Sequence, residues 1–323
     1  MEPEVHAVFE PVTGTWQYIV ADAHTKDAVI IDSVLDYDKD TGKVSTRSAD
    51  EILDLVAQRG YTVTRILETH AHADHLTASR YLQDVLAERQ RQQSSTARPP
   101  QVCIGQRIAQ VQETMSRIYN VASAELVDAF DHTFSDNETF AIGSLEARAI
   151  HLPGHTPDHL GYVVGSAVFT GDSIFNPDVG SARCDFPGGS AADLFRSMQT
   201  LLALPGHFRL YTGHDYPPDG RDVALDGNGR NVVVVAAGGN SKAVPFTTVD
   251  TQARENKHVK RGTLMDDFVK WRSERDSGLA EPKLLAQAMQ VNIRGGRLPA
   301  TSSDGFKLTD VPERVVRVGQ AAA

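Results

Sequence analysis

Short runs of apolar and β-branched residues recur along the chain between polar segments. The run from Tyr18 to Ala21 and the run from Ala28 to Ile31 predict an amino-terminal hairpin or meander, with Asp32 at the end of the second strand. The apolar segment Val63–Leu67 predicts another strand, which leads directly into a loop rich in histidine. Strands therefore deliver the chain to a loop of unusual composition.

Helical spacing appears between these strands. Ser48 is predicted to cap a helix that carries Ile52 and Val56 on its apolar face and ends near Gly60. Further on, a helix is predicted over Leu76–Glu88. A short strand at Cys103-Ile104 and a second helix over Ile108–Tyr119 are predicted after it.

A block of closely spaced strands follows. These strands are predicted over Phe140–Ile142, Leu145–Ile150, Leu160–Val164 and Ala167–Thr170. Helical segments lie on both sides of the strand-rich blocks in the sequence. This order favours two sheets packed between helical layers over a simple parallel, doubly wound sheet.

Two stretches look like surface insertions, namely Gln90–Pro100, rich in Gln, Arg and Ser, and Asp219–Pro245, rich in Gly and Asn. Within the second, the run Val232–Val235 is interpreted as an added edge strand without functional weight. Three short helices are predicted after it, over Thr251–Lys260, Leu264–Arg275 and Pro282–Met289. We therefore divide the chain into a core domain (1–218), an insertion (219–250) and a helical extension (251–323) that packs on the core.

Composition narrows the class of protein. At 323 residues and 41% hydrophobic content, the chain can bury a substantial core. A net charge of −10, from 42 acidic and 32 basic residues, argues against nucleic acid as a partner. Cys103 and Cys184 are too few for a disulfide framework. Without a signal peptide or an apolar run near the roughly 20 residues of a membrane span, we expect a soluble protein of the cytoplasm or mitochondrial matrix.

The histidine-rich loop places His70, His72, Asp74 and His75 within six residues. A loop at the end of a strand can aim its side chains into a cleft. A lone histidine is more often an ordinary surface or core residue than a ligand. Crowding three imidazoles and a carboxylate together without a cation, however, would desolvate polar groups for no gain, and these groups are the usual ligands of zinc and iron. The cluster predicts a metal site.

Three later strands end in residues of the same kind. His155 follows the strand Leu145–Ile150 across a Pro-Gly turn, and Asp172 and His214 follow apolar strands directly. Taken singly, His155 is equally compatible with the tip of an ordinary turn, and Asp172 with a capping residue. Four strand ends in one pattern favour a shared metal cluster.

These residues resemble the signature of the metallo-β-lactamase superfamily. Its His-x-His-x-Asp-His pattern matches His70 to His75, and its later ligands match His155, Asp172 and His214. The resemblance covers roughly residues 5–216 and implies a four-layer αββα sandwich with the metal cleft at one edge of the two sheets, here with a carboxy-terminal helical extension. Because such folds host hydrolases, oxidoreductases and nucleases, the fold alone does not fix the reaction.

A finer resemblance concerns the segment from Gly180 to Phe186, which contains Arg183 and Asp185. It is similar to the Gly-x-x-Arg-x-Asp-Phe segment of the persulfide dioxygenases. The sequence of this segment and that of Gln290–Pro299 also resemble a bacterial and fungal β-lactamase-like branch. In the dioxygenases, one Fe(II) is held by residues matching His70, His155 and Asp172, and glutathione persulfide is oxidised to sulfite and thiol. The remaining residues, which would orient those ligands or form a vacant second site, match His72, Asp74, His75 and His214.

Other reactions stay open on the same ligands. Two zinc ions could occupy all seven positions and activate a hydroxide for thioester hydrolysis, as in glyoxalase II. The Arg183-Cys-Asp-Phe sequence favours the dioxygenase, as does the lack of a recognisable glyoxalase II substrate domain. A sulfur-sensing protein without turnover is disfavoured by the intact ligands, and a nuclease by the acidic charge.

Three residues near the cluster are assigned secondary roles. Arg183 is a candidate for binding a substrate carboxylate, although an internal ion pair with Asp185 is the favoured interpretation. Cys184 is interpreted as a small buried residue in a turn rather than a sulfur carrier. Tyr216 is a candidate hydrogen-bond donor to substrate or a core residue. The expected partner is a small-molecule thiol or persulfide, and a homo-oligomer is compatible with the sequence.

Overall fold

The computed structural model describes residues 1–219, 221, 232–236 and 242–299. Two β-sheets face each other in its centre, and helices cover the outer face of each sheet. The predicted αββα sandwich is confirmed. Residues 220, 222–231 and 237–241 of the predicted insertion, and the extension from residue 300 onward, lie outside the described residues.

The first sheet has seven strands in the spatial order β15-β1-β2-β3-β6-β8-β9. Its strands are β1 (Glu4–Glu10), β2 (Thr15–Ala21), β3 (Asp27–Ile31), β6 (Thr62–Leu67), β8 (Gln101–Gly105), β9 (His132–Phe134) and β15 (Val232–Ala236). The pairs β3-β6, β6-β8 and β8-β9 are parallel. Because parallel neighbours end at one edge, the loop after β6 opens at the same edge as the end of β3.

The second sheet has six strands in the order β10-β11-β12-β13-β14-β16, and a small sheet joins β5, β4 and β7. The strands of the second sheet are β10 (Thr139–Ile142), β11 (Leu145–His151), β12 (Leu160–Val164), β13 (Ala167–Gly171), β14 (Arg209–Thr212) and β16 (Phe246–Thr248). Those of the small sheet are β4 (Val34–Asp38), β5 (Lys43–Ser45) and β7 (Leu76–Thr77). The parallel pair β13-β14 brings two strand ends side by side.

The described α-helices are α1 (Arg47–Arg59), α2 (Ser79–Gln93), α3 (Ile108–Ile118), α4 (Ala191–Leu202), α5 (Val249–Glu255), α6 (Met265–Asp276) and α7 (Leu285–Asn292). Residues of α1, α2 and α7 pack on the first sheet, and residues of α4, α5 and α6 pack on the second. None of the described helices is long and apolar enough to cross a membrane.

Aromatic rings fill the space between the sheets. Tyr18 of the first sheet contacts Phe169 and Tyr211 of the second edge-on, with ring centroids 5.1 and 5.6 Å apart. Its hydroxyl donates to the carbonyl of Thr212 at 2.6 Å, so the buried polar group is satisfied. This core fixes the two sheets against each other close to the strand ends that carry the site.

Two helix predictions are wrong at their beginnings. Ser48 lies inside α1, whose N-cap residue is Thr46, because the carboxylate of Asp36 accepts from the Ser48 amide at 2.9 Å and supplies the cap from another strand. The predicted end is confirmed, since Gly60 caps α1 in the left-handed region at φ 66°. The segment Leu76-Thr77, predicted as helix, pairs as a strand with Val34 and Leu35.

One boundary of the predicted surface segments also changes. Helix α2 continues to Gln93, so the start of the predicted Gln90–Pro100 excursion is helical. The run beginning at Val232 is an edge strand, as expected, and it pairs in parallel with β1. In the extension, α5 ends at Glu255 rather than Lys260, because Asn256 turns the chain.

Candidate metal centre

Four strand ends bring the ligand-type residues to one cleft. The histidine-rich loop follows β6, His155 follows β11, Asp172 follows β13 directly and His214 lies two residues after β14. They line or border a cavity of about 1320 Å³ at the edge of the two sheets. The metal cleft was expected at this edge.

Three of the residues form a compact group. One ligand atom from each of His70, His155 and Asp172 lies within 4.8 Å of the other two, and all three side chains are buried. The His155 Nε2 atom lies 3.7 Å from Asp172 Oδ2. Two imidazoles and one carboxylate on one face match the ligand set of non-haem ferrous sites with open positions.

A second group lies beside the first. The His214 Nε2 atom is 3.3 Å from Asp74 Oδ2 and 3.5 Å from Asp172 Oδ2, and the rings of His75 and His214 are 6.2 Å apart. Burial raises the pKa of Asp74, but the neighbouring His214 and His75 outweigh it and hold the pKa well below its ordinary range. Asp74 is therefore ionised and able to bind a cation.

His72 lies between the two groups, with its ring 4.1 Å from His70 and 4.3 Å from His75. Its Nε2 atom contacts Asp32 at 3.1 Å and Glu68 at 3.3 Å. Burial alone would lower the pKa of His72, but the two carboxylates raise it well above its ordinary value. These contacts leave Nδ1 as the nitrogen that faces away from the acids.

The donor atoms fit a bound cation. Among the described residues, four buried atoms in the cluster have no protein hydrogen-bond partner, namely His70 Nε2, His72 Nδ1, His75 Nε2 and Asp172 Oδ1. Burial, together with the neighbouring histidines, holds the pKa of His70 well below its ordinary value, so this imidazole is neutral. Buried nitrogen and oxygen atoms without partners are costly, and metal ions held by the two groups would supply partners for the ligand atoms among them.

Two glycines lie close to Asp172 and leave room for its carboxylate. A Cβ atom on Gly171, which has φ +46°, would lie 2.5 Å from Thr69 Oγ1, and one on Gly213 would lie 2.4 Å from Asp172 Oδ1. The amide of Asp172 donates to His159 Nε2 at 2.9 Å. The three loops can therefore approach one another this closely only because Gly171 and Gly213 have no side chain.

Several supporting residues were not singled out from the sequence. Asp32 accepts from the Thr69 amide at 2.7 Å, Asp158 accepts from the Ala71 amide at 2.9 Å, and Glu68 accepts from the hydroxyls of Thr77 and Ser79. Two of these residues could have been suspected from their positions in the sequence, since Asp32 ends a predicted strand and Glu68 comes just before the histidine-rich loop.

The Arg183 loop (residues 180–186) borders His155. The Nδ1 atom of His155 donates to the carbonyl of Arg183 at 2.7 Å, which leaves Nε2 free to bind a cation. The guanidinium of Arg183 pairs with Asp185 and donates to the carbonyl of Ala280 at 2.9 Å. Arg183 therefore acts on the site through its backbone, while its side chain holds the loop to the extension.

Cys184 and Tyr216 differ in access to the cleft. Burial raises the pKa of the Cys184 thiol to about 12, and its amide donates to Asp276 at 2.9 Å. Tyr216 is 51% exposed and stacks on His214 with ring centroids 5.7 Å apart. Tyr216 is therefore not a core residue, and its ring lines the cavity beside the second group.

Both basic and acidic side chains line the cavity, and the acidic ones are Glu10, Asp36, Asp38, Asp40, Asp74 and Asp172. The lysines and arginines that line it are Lys39, Lys43, Arg47, Arg183, Lys257, Arg272, Arg275 and Lys283. Tyr37 and Trp271 add aromatic surface to the same walls. The wall is therefore mixed in charge, and its lysines offer cationic groups to a polar organic molecule.

The fold and the ligand cluster define a metal-dependent enzyme of the αββα type. The Metallo-beta-lactamase superfamily model matches residues 11–214, and the chain belongs to this superfamily. A probable metallo-hydrolase of Burkholderia pseudomallei is 38% identical over 95% of this chain and 98% of its own length. The mitochondrial persulfide dioxygenase ETHE1 of Homo sapiens is 30% identical, covering 65% of this chain and 67% of its own.

A solved structure gives the same relationship in three dimensions. ETHE1 from Myxococcus xanthus superposes with a TM-score of 0.64 and 26% identity, covering 91% of this chain and 99% of that chain. The similarity therefore extends beyond the residues of the family model into the helical extension.

Proposed function

We propose that this protein is an Fe(II)-dependent persulfide dioxygenase acting on glutathione persulfide or a similar small persulfide. The observation that carries the proposal is the compact face of His70, His155 and Asp172, with ligand atoms within 4.8 Å of one another. The similarity of this chain to the persulfide dioxygenase ETHE1 of Homo sapiens and to ETHE1 from Myxococcus xanthus supports the proposal.

The overall reaction balances without another reactant. A persulfide R-S-SH, dioxygen and water give the thiol R-SH, sulfite and two protons. The terminal sulfur loses four electrons, which dioxygen accepts, and the sulfur–sulfur bond breaks. Ferrous iron, when bound, would supply a site that binds both the sulfur and dioxygen.

The residues of this chain contribute orientation and charge. The hydrogen bond from His155 Nδ1 to Arg183 and the contact of His70 Nδ1 with Thr69 Oγ1 at 3.0 Å direct both Nε2 atoms to the cleft. The lysines that line the cavity would bind the carboxylates of a glutathione-type substrate. Tyr216, half exposed beside His214, is the candidate donor to the substrate.

A dizinc hydrolase is the second candidate. The observation that favours it is the complete second group, in which Asp74 and Asp172 both lie within 3.5 Å of His214. The name of the Burkholderia relative, a probable metallo-hydrolase, points the same way. Two zinc ions held by both groups would activate a water molecule for attack on a thioester.

Metal content and oxygen uptake separate the two candidates. We expect protein purified without oxygen to hold close to one iron per chain and to consume dioxygen when glutathione persulfide is added. Two zinc ions per chain, with hydrolysis of lactoylglutathione and no oxygen uptake, would reject the dioxygenase in favour of the hydrolase.

A pair of variants tests the assignment of the ligands. Asp172→Ala is expected to lose the metal, because it removes the carboxylate shared by both groups. Cys184→Ser should retain the metal, since its side chain is buried and its contact to Asp276 is made by the backbone. Elemental analysis of both proteins checks this, and full metal content in Asp172→Ala would show that the ligand face is misassigned.

A further inference from the structure

Asn292, at the end of α7, reaches the histidine-rich loop from the far end of the described chain. Its side-chain amide donates to the carbonyl of His72 at 2.7 Å and to that of His75 at 2.8 Å. Its side-chain oxygen accepts from the amide of Thr77 at 2.9 Å. The residue is only 3% exposed.

All three contacts are to the backbone of the segment that carries the ligands. The residues from His70 to His75 lie outside the strands and helices, so the carbonyl groups of His72 and His75 have no place in a sheet ladder or a helix. An asparagine amide offers two donors and an acceptor in one plane, and here each is used. One side chain therefore fixes the backbone on both sides of Asp74.

The end of α7 is itself held firmly. Arg294 pairs with Glu125 at 2.8 Å. Gly295 has φ +64°, and a Cβ atom there would collide with the carbonyl of Ala129, so the chain turns tightly against the core after the helix. Asn292 consequently cannot follow the loop if the loop moves.

We propose that Asn292 is a positioning residue for the metal centre, which holds the backbone of the histidine-rich loop so that His72, Asp74 and His75 keep their places beside the first group. It touches neither the cavity nor the ligand side chains. This inference rests on the metal centre of the proposed function: in the dioxygenase these three residues would orient the ligands of the single iron, and in the dizinc hydrolase they would also bind the second ion.

The test is the affinity for zinc alone in Asn292→Ala, measured by competition with a chromophoric chelator. Removal of residues that orient metal ligands typically costs about 10- to 100-fold in metal affinity. We expect a loss in that range. A second variant, Asn292→Ser, keeps one hydroxyl donor and should lose less; it also replaces Asn292→Ala if that protein does not fold.

Gln83 provides a matched control. This buried amide also donates twice, to the carbonyl of Pro100 at 2.9 Å and to Asp131 at 2.6 Å, and accepts from Arg80, but it lies in α2 and outside the metal cleft. Gln83→Ala is expected to lower the melting temperature as much as Asn292→Ala while keeping wild-type zinc affinity.

Two outcomes are decisive. If both asparagine variants bind zinc as tightly as the wild type, Asn292 only stabilises the fold and the inference is overturned. If the wild type binds zinc tightly but shows no oxygen uptake in its iron form, the dioxygenase proposal fails while the role of Asn292 is judged from the affinities alone.

Discussion

Gly213→Ala adds one methyl group beside a proposed metal ligand and nothing else. The backbone of Gly213 lies outside the left-handed region, so alanine meets no conformational strain there. The new Cβ atom would lie 2.4 Å from Asp172 Oδ1 and 3.0 Å from the carbonyl carbon of Gly171. Ordinary contact begins at 3.4 Å, so the carboxylate must retreat by about 1 Å.

A carboxylate can rotate away, and the cost to folding is therefore small, at the lower end of the roughly 1–3 kcal/mol that overpacking usually costs. The cost to metal binding is larger, because ligand distances tolerate only about 0.2 Å. We expect at least tenfold weaker zinc binding. A misplacement of about 1 Å can also lower turnover by roughly 100-fold.

The assay compares the zinc affinity and melting temperature of Gly213→Ala with those of Gly278→Ala. In the control, the new Cβ atom lies 3.8 Å from its nearest neighbour, the carbonyl of Arg275, so both properties should stay close to wild type. Unchanged zinc affinity in Gly213→Ala would mean that Asp172 does not bind the metal, or that the packing around it is looser than its contacts imply.

Three further predictions concern the frame of the site. Asp276→Asn should lower the unfolding free energy by about 3 kcal/mol in denaturant titration, because it leaves the buried guanidinium of Arg272 without its charged partner; a change below about 1 kcal/mol would contradict this. Burial, with the nearby Lys257 and Arg272, lowers the pKa of His258 to about 4, so on acidification the unfolded chain binds a proton at this residue before the folded protein does. The free energy of unfolding should therefore fall as the pH drops from about 6.5 to 4, and it should fall less in His258→Gln. Burial raises the pKa of both thiols, Cys103 and Cys184, to about 12, so neither should react with a thiol reagent at pH 8 until the protein is denatured; rapid labelling of the native protein would refute this.

The strand-end residues could be predicted from sequence because the information is local. Each apolar strand is followed within four residues by its histidine or aspartate, so the segment alone identifies His70, His155, Asp172 and His214 as candidates. The resemblance to the superfamily then placed them on one cleft. The sandwich followed from the same order of strands and helices.

The supporting residues could not be found in this way, because their partners are far away in the chain. Asp32 contacts His72 across 40 residues, and Asn292 reaches the same histidine across 220. The cap of α1 shows the same limit on a smaller scale. Ser48 has the residue type of a cap, but Asp36 takes that role through a contact that no local pattern reveals.

The anchoring of the histidine-rich loop by Asn292 also has a consequence for biosynthesis. The ribosome releases His72 and His75 long before residue 292, and amino-terminal segments can begin to fold during translation. Until α7 emerges, the side-chain amide that will hold the carbonyls of these two histidines has not been made. The ligand loop is therefore among the last parts of the nascent protein to acquire its final shape, and a fully ordered metal site becomes available only after nearly all of the described chain has been made.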